Sequence, residues 1–374
     1  MDFLISLIPC VKILILFISM TMLSVFLDEV GMFKYLANAA LKRAAASQIT
    51  LFFYLYIMVS VLTVFTSNDV IILTFTPFIC YFAKSAGINP LPFLFGEFVA
   101  ANTWSQMFVI GNPTNIYLAT AADIGFFEYF KVMWLPTVMS GIMACLVLFL
   151  LFHKDLNKKM TPTAINATIR DKGLLIIGII HLSLCTVILV ASSYLDFEMY
   201  AIALGFAISL FVCVSIYQIA TKRKGKELLW TLRRAPWKLV PFVLSMFLLI
   251  LLLERTPFIT FMADFLNDRP LVYRFGIASF LSANVINNIP MSVLYSAITS
   301  KITDVKIYPA VYACVTGSNI GAFFTPLGAL AGIMWSDILK QHDINFSAKT
   351  FIKYGAVIAV PTLLAALCGI QIMF

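Results

Sequence analysis

The sequence predicts an all-α polytopic membrane protein with two inverted repeats, each holding a re-entrant hairpin and a broken helix. Three observations predict it. Hydrophobic residues fill 61% of the 374 positions and charged residues only 12%, with a mean hydropathy of +0.96; a soluble domain carries about 25% charged residues. Several apolar runs approach or exceed the roughly 20 residues that span a bilayer. Polar and helix-breaking residues, such as VIGNPTNIY (109–117), interrupt those runs at matching places in the two halves.

Each element follows in order. Phe3 to Leu27 is too long for a signal-peptide core and lacks a small-residue cleavage site, so it is expected to span. Asp28 and an amphipathic stretch follow. Apolar arms 48–66 and 70–84 flank the polar tip Ser67-Asn68-Asp69 and read as a hairpin. A helix over 91–121, broken near 110–115, and a spanning helix over 130–152 close the first repeat. A basic loop, two plain helices (173–195 and 199–220) and a basic surface helix anchored by Trp230 and Trp237 come next. The second repeat runs through a helix (238–254), arms 271–286 and 291–303 around Asn287-Asn288, a helix over 306–339 broken near 317–326, and a closing helix (351–373). The division is 1–152, 153–236 and 237–374, with about eight spanning helices and two hairpins.

Three segment pairs, in the same order, carry the repeat: SMTMLSVFLDEVGMFKYLANAAL (19–41) with SMFLLILLLERTPFITFMADFLN (245–267), VFTSNDVIIL (64–73) with NVINNIPMSV (284–293), and NTWSQMFVIGNPTNI (102–116) with NIGAFFTPLGALAGI (319–333). Asp28 then matches Glu254, Asn102 matches Asn319, and Gly111 matches Gly328. A hairpin returns to its own side, so each repeat crosses three times and the two middle helices add an even number. The second repeat therefore starts on the opposite side, a recurring plan of secondary transporters. Loops 28–47, 84–90, 153–172, 221–238 and 340–353 fall on one side and hold 19 of the 26 Lys and Arg. That side is expected to be cytoplasmic, which places both termini outside. The net charge of +8 is thus read as basic loops on an anionic leaflet, with no nucleic-acid partner.

Non-helical backbone survives in a bilayer only where protein buries it or a watery cavity receives it. Gly111 and Pro113 make such a break, where freed backbone groups, the amides of Asn112 and Asn115 and the Thr114 hydroxyl are expected to coordinate an ion or solute. The half-helix starting near Thr114 aims its positive end there and favours an anion. Gly317-Ser318-Asn319 and Thr325-Pro326 supply the matching place. The two tips are expected to meet these breaks from opposite sides. Asp69 is the coupling-ion candidate, because a charge at membrane depth costs at least about 2.5–3.5 kcal/mol; it also suits an N-terminal cap. Glu97 could also titrate, or reads as an interfacial or paired acid, and His181 reads as a satisfied polar residue; no Arg or Lys lies at the tips or breaks in sequence. The seven Cys read as buried thiols, with Cys314 the one placed to meet a thiophilic solute. An intramembrane aspartyl protease needs two embedded Asp and a zinc protease needs HExxH; the chain has only Asp69 near the centre, and its three His (153, 181, 342) do not form the motif.

The stretches MLSVFLDEVGMFKYLA (22–37), SNDVIILTFTP (67–77), ANTWSQMFVIGNPTNI (101–116), VINNIPMSVL (285–294) and GSNIGAFFTPLGALAGIMW (317–335) resemble the ion-transporter superfamily of arsenite efflux permeases, NhaD-type antiporters, citrate-type transporters and divalent-anion/sodium symporters. The resemblance implies tips at Asn68-Asp69 and Asn287-Asn288. It implies broken helices carrying Asn102, Gly111, Asn112, Pro113 and Asn115, and Asn319, Thr325, Pro326 and Gly328. It also implies a frequent homodimer. Arsenite permeases carry acids where Asn112 and Asn319 stand and a Lys near Phe324, so three charged positions are neutral here. Dicarboxylate symporters carry Ser-Asn-Thr at both tips, whereas these tips read Ser-Asn-Asp and Asn-Asn-Ile. The expectation is a cytoplasmic-membrane transporter of a small anion, an oxyanion or carboxylate, coupled to H⁺ or Na⁺, with no cofactor beyond such a coupling Na⁺. The alternatives are arsenite or antimonite efflux, with a neutral solute, and Na⁺/H⁺ antiport.

Overall fold

The computed structural model describes residues 2–44, 46–160, 169–195, 197–223, 225–253, 256–302, 307–344 and 346–374. These form seventeen α-helices. The first seven are α1 (Asp2–Glu29), α2 (Met32–Arg43), α3 (Gln48–Phe65), α4 (Asn68–Ala86), α5 (Leu91–Trp104), α6 (Pro113–Ala121) and α7 (Phe126–Leu156). The middle three are α8 (Lys172–Leu195), α9 (Met199–Ala220) and α10 (Glu227–Arg234). The last seven are α11 (Leu239–Leu253), α12 (Pro257–Leu266), α13 (Leu271–Ile286), α14 (Asn288–Thr299), α15 (Ile307–Gly321), α16 (Leu330–Gln341) and α17 (Ala348–Met373). No strand occurs among the described residues. Glu254, the expected counterpart of Asp28, and residues 303–306, between the second hairpin and its broken helix, lie outside them.

Among the described residues, seven helices are long and apolar enough to cross a membrane: α1 from Val11, α3, α4, α7, α8 to Ser192, α9 and α17. The chain is a multi-pass membrane protein. The hairpin arms α3 and α4, at 18 and 19 residues, are as long as true spans, reaching about 27 Å at 1.5 Å per residue. Their counterparts α13 and α14 are shorter, at 16 and 12 residues.

The same contacts occur twice. In the first half α5 packs on α3, α4 and α7; in the second, α15 packs on α13, α14 and α17. Between halves, α4 packs on α16 and its counterpart α14 on α6, while α7 lies along α17. Each hairpin's second arm thus rests on the far half of the other half's broken helix.

The described parts of all five basic loops gather on one face. The Arg170 amide donates to the Val30 carbonyl (3.1 Å), Ser47 forms a β-bridge with Lys159, and Asn89 Nδ2 donates to Asp155 (2.9 Å). Ion pairs link Arg223 to Asp171, Arg234 to Asp28 and Lys84 to Asp343. Burial pushes the Asp171 carboxyl up, but the amides of Gly173 and Leu174, the Tyr217 hydroxyl and Arg223 hold it below the usual carboxylate range.

Candidate functional site

The break in the first interrupted helix is a short 3-10 turn, Val109–Gly111, between α5 and α6. A Cβ on Gly111 would lie 2.1 Å from the Ser105 carbonyl oxygen, so only glycine lets the chain fold back there. Asn112 is extended and caps α6: its Oδ1 accepts from the Thr114 amide and hydroxyl, both at 3.1 Å, with Pro113 at the first helical position.

Asn319, fully buried on α15, ties this break to the second half. Its Oδ1 accepts from Ser105 Oγ (2.9 Å) and Asn112 Nδ2 (3.1 Å); its Nδ2 donates to Asn115 Oδ1 (2.6 Å) and the Val315 carbonyl (2.8 Å). Both donors and both lone-pair directions of the amide are used. On the same helix, the neighbouring Ser318 Oγ donates to Thr114 Oγ1 (2.8 Å), and Thr316 Oγ1, about one turn back, to Gln106 Oε1 (3.2 Å). Asn68 joins through Asn102 Oδ1 (3.1 Å), whose own backbone carbonyl accepts from Ser105 Oγ (2.9 Å).

Asp69 faces elsewhere. It stands in the first turn of α4 and lines a cavity of about 340 Å³ beside α1, the start of α16 and the α10–α11 corner. Neither helix N-terminus at this cavity has a side-chain cap: Ser67 makes no cap bond to α4, and Ala329 has none to offer α16. The far wall is basic, with Arg233, Arg234 and Lys238. Buried Ser67 Oγ and Asn68 Oδ1, at the same tip, have no hydrogen-bond partner among the described residues.

The second tip holds to its own break. Asn287, at φ +73°, caps α14 by accepting from the Ile289 amide (3.4 Å) and donates to the Leu327 carbonyl (3.1 Å). The Asn288 amide donates to the Gly328 carbonyl (3.1 Å), and Asn284 Oδ1 accepts from the Thr325 amide (3.0 Å) and hydroxyl (2.7 Å).

A family model described as a citrate transporter matches residues 7–303. The chain belongs to the citrate transporter family. It is also similar to curated proteins over nearly its whole length. An arsenical pump membrane protein of Escherichia coli is 26% identical over 370 residues, covering 95% of this chain and 85% of that one. A putative arsenical pump membrane protein of Bacillus subtilis is 25% identical over 380 residues, 92% and 84% of the two chains. A 46 kDa membrane protein of Mycobacterium leprae is 22% identical over 379 residues, 96% and 85%.

In this member of the citrate transporter family, the residues expected at one centre fall into three groups. Asn68, Asn102, Asn112, Thr114, Asn115, Ser318 and Asn319 share one network; Asp69 opens on the cavity; Asn287, Asn288, Thr325, Pro326 and Gly328 lie at the second tip and break, with no bond to the Asn319 network among the described residues. The positive end of α6, expected to face an anion, is taken by its Asn112 cap. Gly317-Ser318-Asn319, expected in the second break, is helical, and the break runs over 322–329. The reason is packing: a Cβ on Gly317 would lie 2.6 Å from the Gly276 carbonyl oxygen, so this glycine seats α15 against α13. Glu97 is buried, and Thr76 Oγ1 lies 3.2 and 3.3 Å from its two oxygens. His181 is satisfied, with Nδ1 on the Ile177 carbonyl (2.7 Å) and Nε2 near Ser209 Oγ (3.1 Å). Cys314 is fully buried and does not line the Asp69 cavity. Ser105, Gln106, Thr316 and Asn284 were not singled out in sequence, though each is a polar residue in an apolar run beside a break. Arg233 and Lys238 gave no local signal.

Proposed function

We propose that the protein is a secondary active transporter that carries a small anion, an oxyanion or carboxylate, across the cytoplasmic membrane, coupled to H⁺ or Na⁺ through Asp69. Repeats 1–152 and 237–374 stand in opposite orientations, and the two cross-half helix pairs, α4 with α16 and α14 with α6, are the equivalent halves of the gate. The cavity that reaches Asp69 between the halves, from the face that gathers the basic loops, carries this reading. An acid at membrane depth with no ion pair among the described residues is suited to take up a proton or a sodium ion. Membership of the citrate transporter family supports anion transport.

A second reading, efflux of arsenite or antimonite, draws on the names of the arsenical pump relatives. A neutral hydroxide has no use for the positive charge around the cavity. Flux of citrate, sulfate and arsenite in inside-out and right-side-out vesicles, with imposed pH and Na⁺ gradients, separates the two. Asp69→Asn is expected to remove the pH or Na⁺ dependence of anion flux while the protein still folds. Coupling unchanged in that variant rejects the role of Asp69, and arsenite as the sole solute moved rejects the anion.

A further inference from the structure

The cavity wall opposite Asp69 is cationic, and the coupling role of Asp69 makes no use of it. Arg234 is spent on structure: it binds Asp28 Oδ2 (2.8 Å) and Glu29 Oε1 (2.5 Å), fixing α10 to the end of α1. Arg233 and Lys238 line the same space without an ion-pair partner among the described residues; the Arg233 guanidinium lies 5.6 Å over the Trp230 ring. The uncapped N-termini of α4, 19 residues long, and α16, 12 residues long, open on it with the positive ends of their dipoles. Thr21 is 4% exposed, lines the cavity, and its Oγ1 has no hydrogen-bond partner among the described residues. A buried hydroxyl left unpaired is costly, and a bound ligand would satisfy it.

We propose that this cavity is a binding site for a dianion, an oxyanion or a dicarboxylate, held by Arg233, Lys238, Thr21 Oγ1 and the N-terminal amides of α4 and α16, and that it fills when Asp69 is neutralised. The proposal rests on the transport reading above and names the recruiting residues of that site. Among the lining charges not engaged elsewhere, Arg233 and Lys238 leave one positive charge with Asp69 charged and two with it neutral; behind the wall Arg234 is shared by Asp28 and Glu29, one negative charge in excess, so it is the neutralisation of Asp69 that tips the site toward an anion. The volume of about 340 Å³ suits a small ligand, at the lower end of the range of about 300–1,000 Å³ for such sites. Apart from Arg233, Arg234 and Lys238, the other charged groups of the helices packed on α4, Asp28 and Glu29 of α1 included, do not line the cavity. From α1 and α16 the lining includes Thr21 and apolar side chains only. Glu97 of α5 lies against Thr76, two turns along α4, and α3 carries no charged residue. Lys34, Lys42 and Arg43 of α2 are not among the lining residues.

The test uses the full chain in proteoliposomes without Na⁺, with sulfate and succinate as separate probes; sulfate stays a dianion across the neutral pH range. Wild type is expected to show a sulfate KM that falls as pH drops, because a proton on Asp69 removes the negative charge facing the anion. Asp69→Asn is expected to hold KM low at every pH. Arg233→Gln with Lys238→Gln is expected to raise KM about tenfold or more with kcat little changed, and to flatten its salt dependence. Lys353→Gln, an exposed cation remote in sequence from the cavity wall, is expected to change neither. Thr21→Val keeps the side-chain shape and reads the same site should the double variant not fold; about a fivefold rise in KM is expected. An unchanged KM in the double variant, or in Thr21→Val where only that variant folds, overturns the binding site. So does a wild-type protein that binds neither probe while moving another anion. In each of these outcomes, loss of coupling in Asp69→Asn leaves the transport reading standing.

Discussion

The two cross-half helix pairs follow one plan and end in opposite chemistry. Where α14 meets α6, both N-termini are closed by side chains: Asn112 caps α6 and Asn287 caps α14. Where α4 meets α16, neither is closed, and both open on the cavity with Asp69. A capped N-terminus has spent its amides on its own chain, whereas an uncapped one keeps them for water or a ligand. Fold repetition therefore gives the protein two equivalent positions, and the choice of cap residue decides which of them keeps free amides. On the capped side, the Asn319 amide turns the break into a cross-link between the halves.

The strongest way to break this comparison is Asn319→Ala. It leaves Asn112 Nδ2 and Asn115 Oδ1 without their partner and takes one acceptor from Ser105, all fully buried. At about 1–3 kcal/mol for each buried group left unsatisfied, a loss of about 3 kcal/mol is expected, seen as a lower unfolding midpoint in detergent and a loss of transport. A midpoint at the wild-type value would show that the cross-link is not holding the halves. Asn112→Ala is the next test. It removes the α6 cap and one bond to Asn319 but spares the link from Asn115. About 2 kcal/mol is expected, and a loss equal to that of Asn319→Ala would mean that the cap, not the cross-link, carries the junction.

Much of this was legible in sequence. Run length and composition gave the helices, and Gly111, Pro113 and the flanking Asn residues marked the first break, because these residue types act locally on the backbone. The Asn319 network was readable in part, since low-identity pairing of the halves aligned Asn319 with Asn102. What sequence could not supply depends on distant contacts. Gly317 looked like a breaker, yet it sits inside α15 because α13 approaches closely there. Arg233 and Lys238 look like ordinary surface cations until Arg234 pins α10 to the end of α1 and turns that corner toward Asp69. The lack of a cap at Ala329 is a missing polar group, which leaves no motif to find.

Ala329 also offers the finest test of the comparison. The pairing that sets Asn102 with Asn319 and Gly111 with Gly328 sets Asn112 with Ala329. Both residues are extended and stand immediately before their half-helix, at φ −149° and −148°. Ala329→Ser places a cap where the second half lacks one and adds a single oxygen to a buried position. Capping is expected to raise stability by about 0.5–1 kcal/mol, read as a small upward shift of the unfolding midpoint. The same hydroxyl occupies an α16 amide, so sulfate affinity is expected to fall two- to threefold, on the order of the 0.3–1 kcal/mol assigned to a charge at a helix end. The two shifts must run in opposite directions. A stabilised protein with unchanged affinity would mean that the free end of α16 is incidental to the cavity, and the difference between the two helix pairs would then concern stability alone.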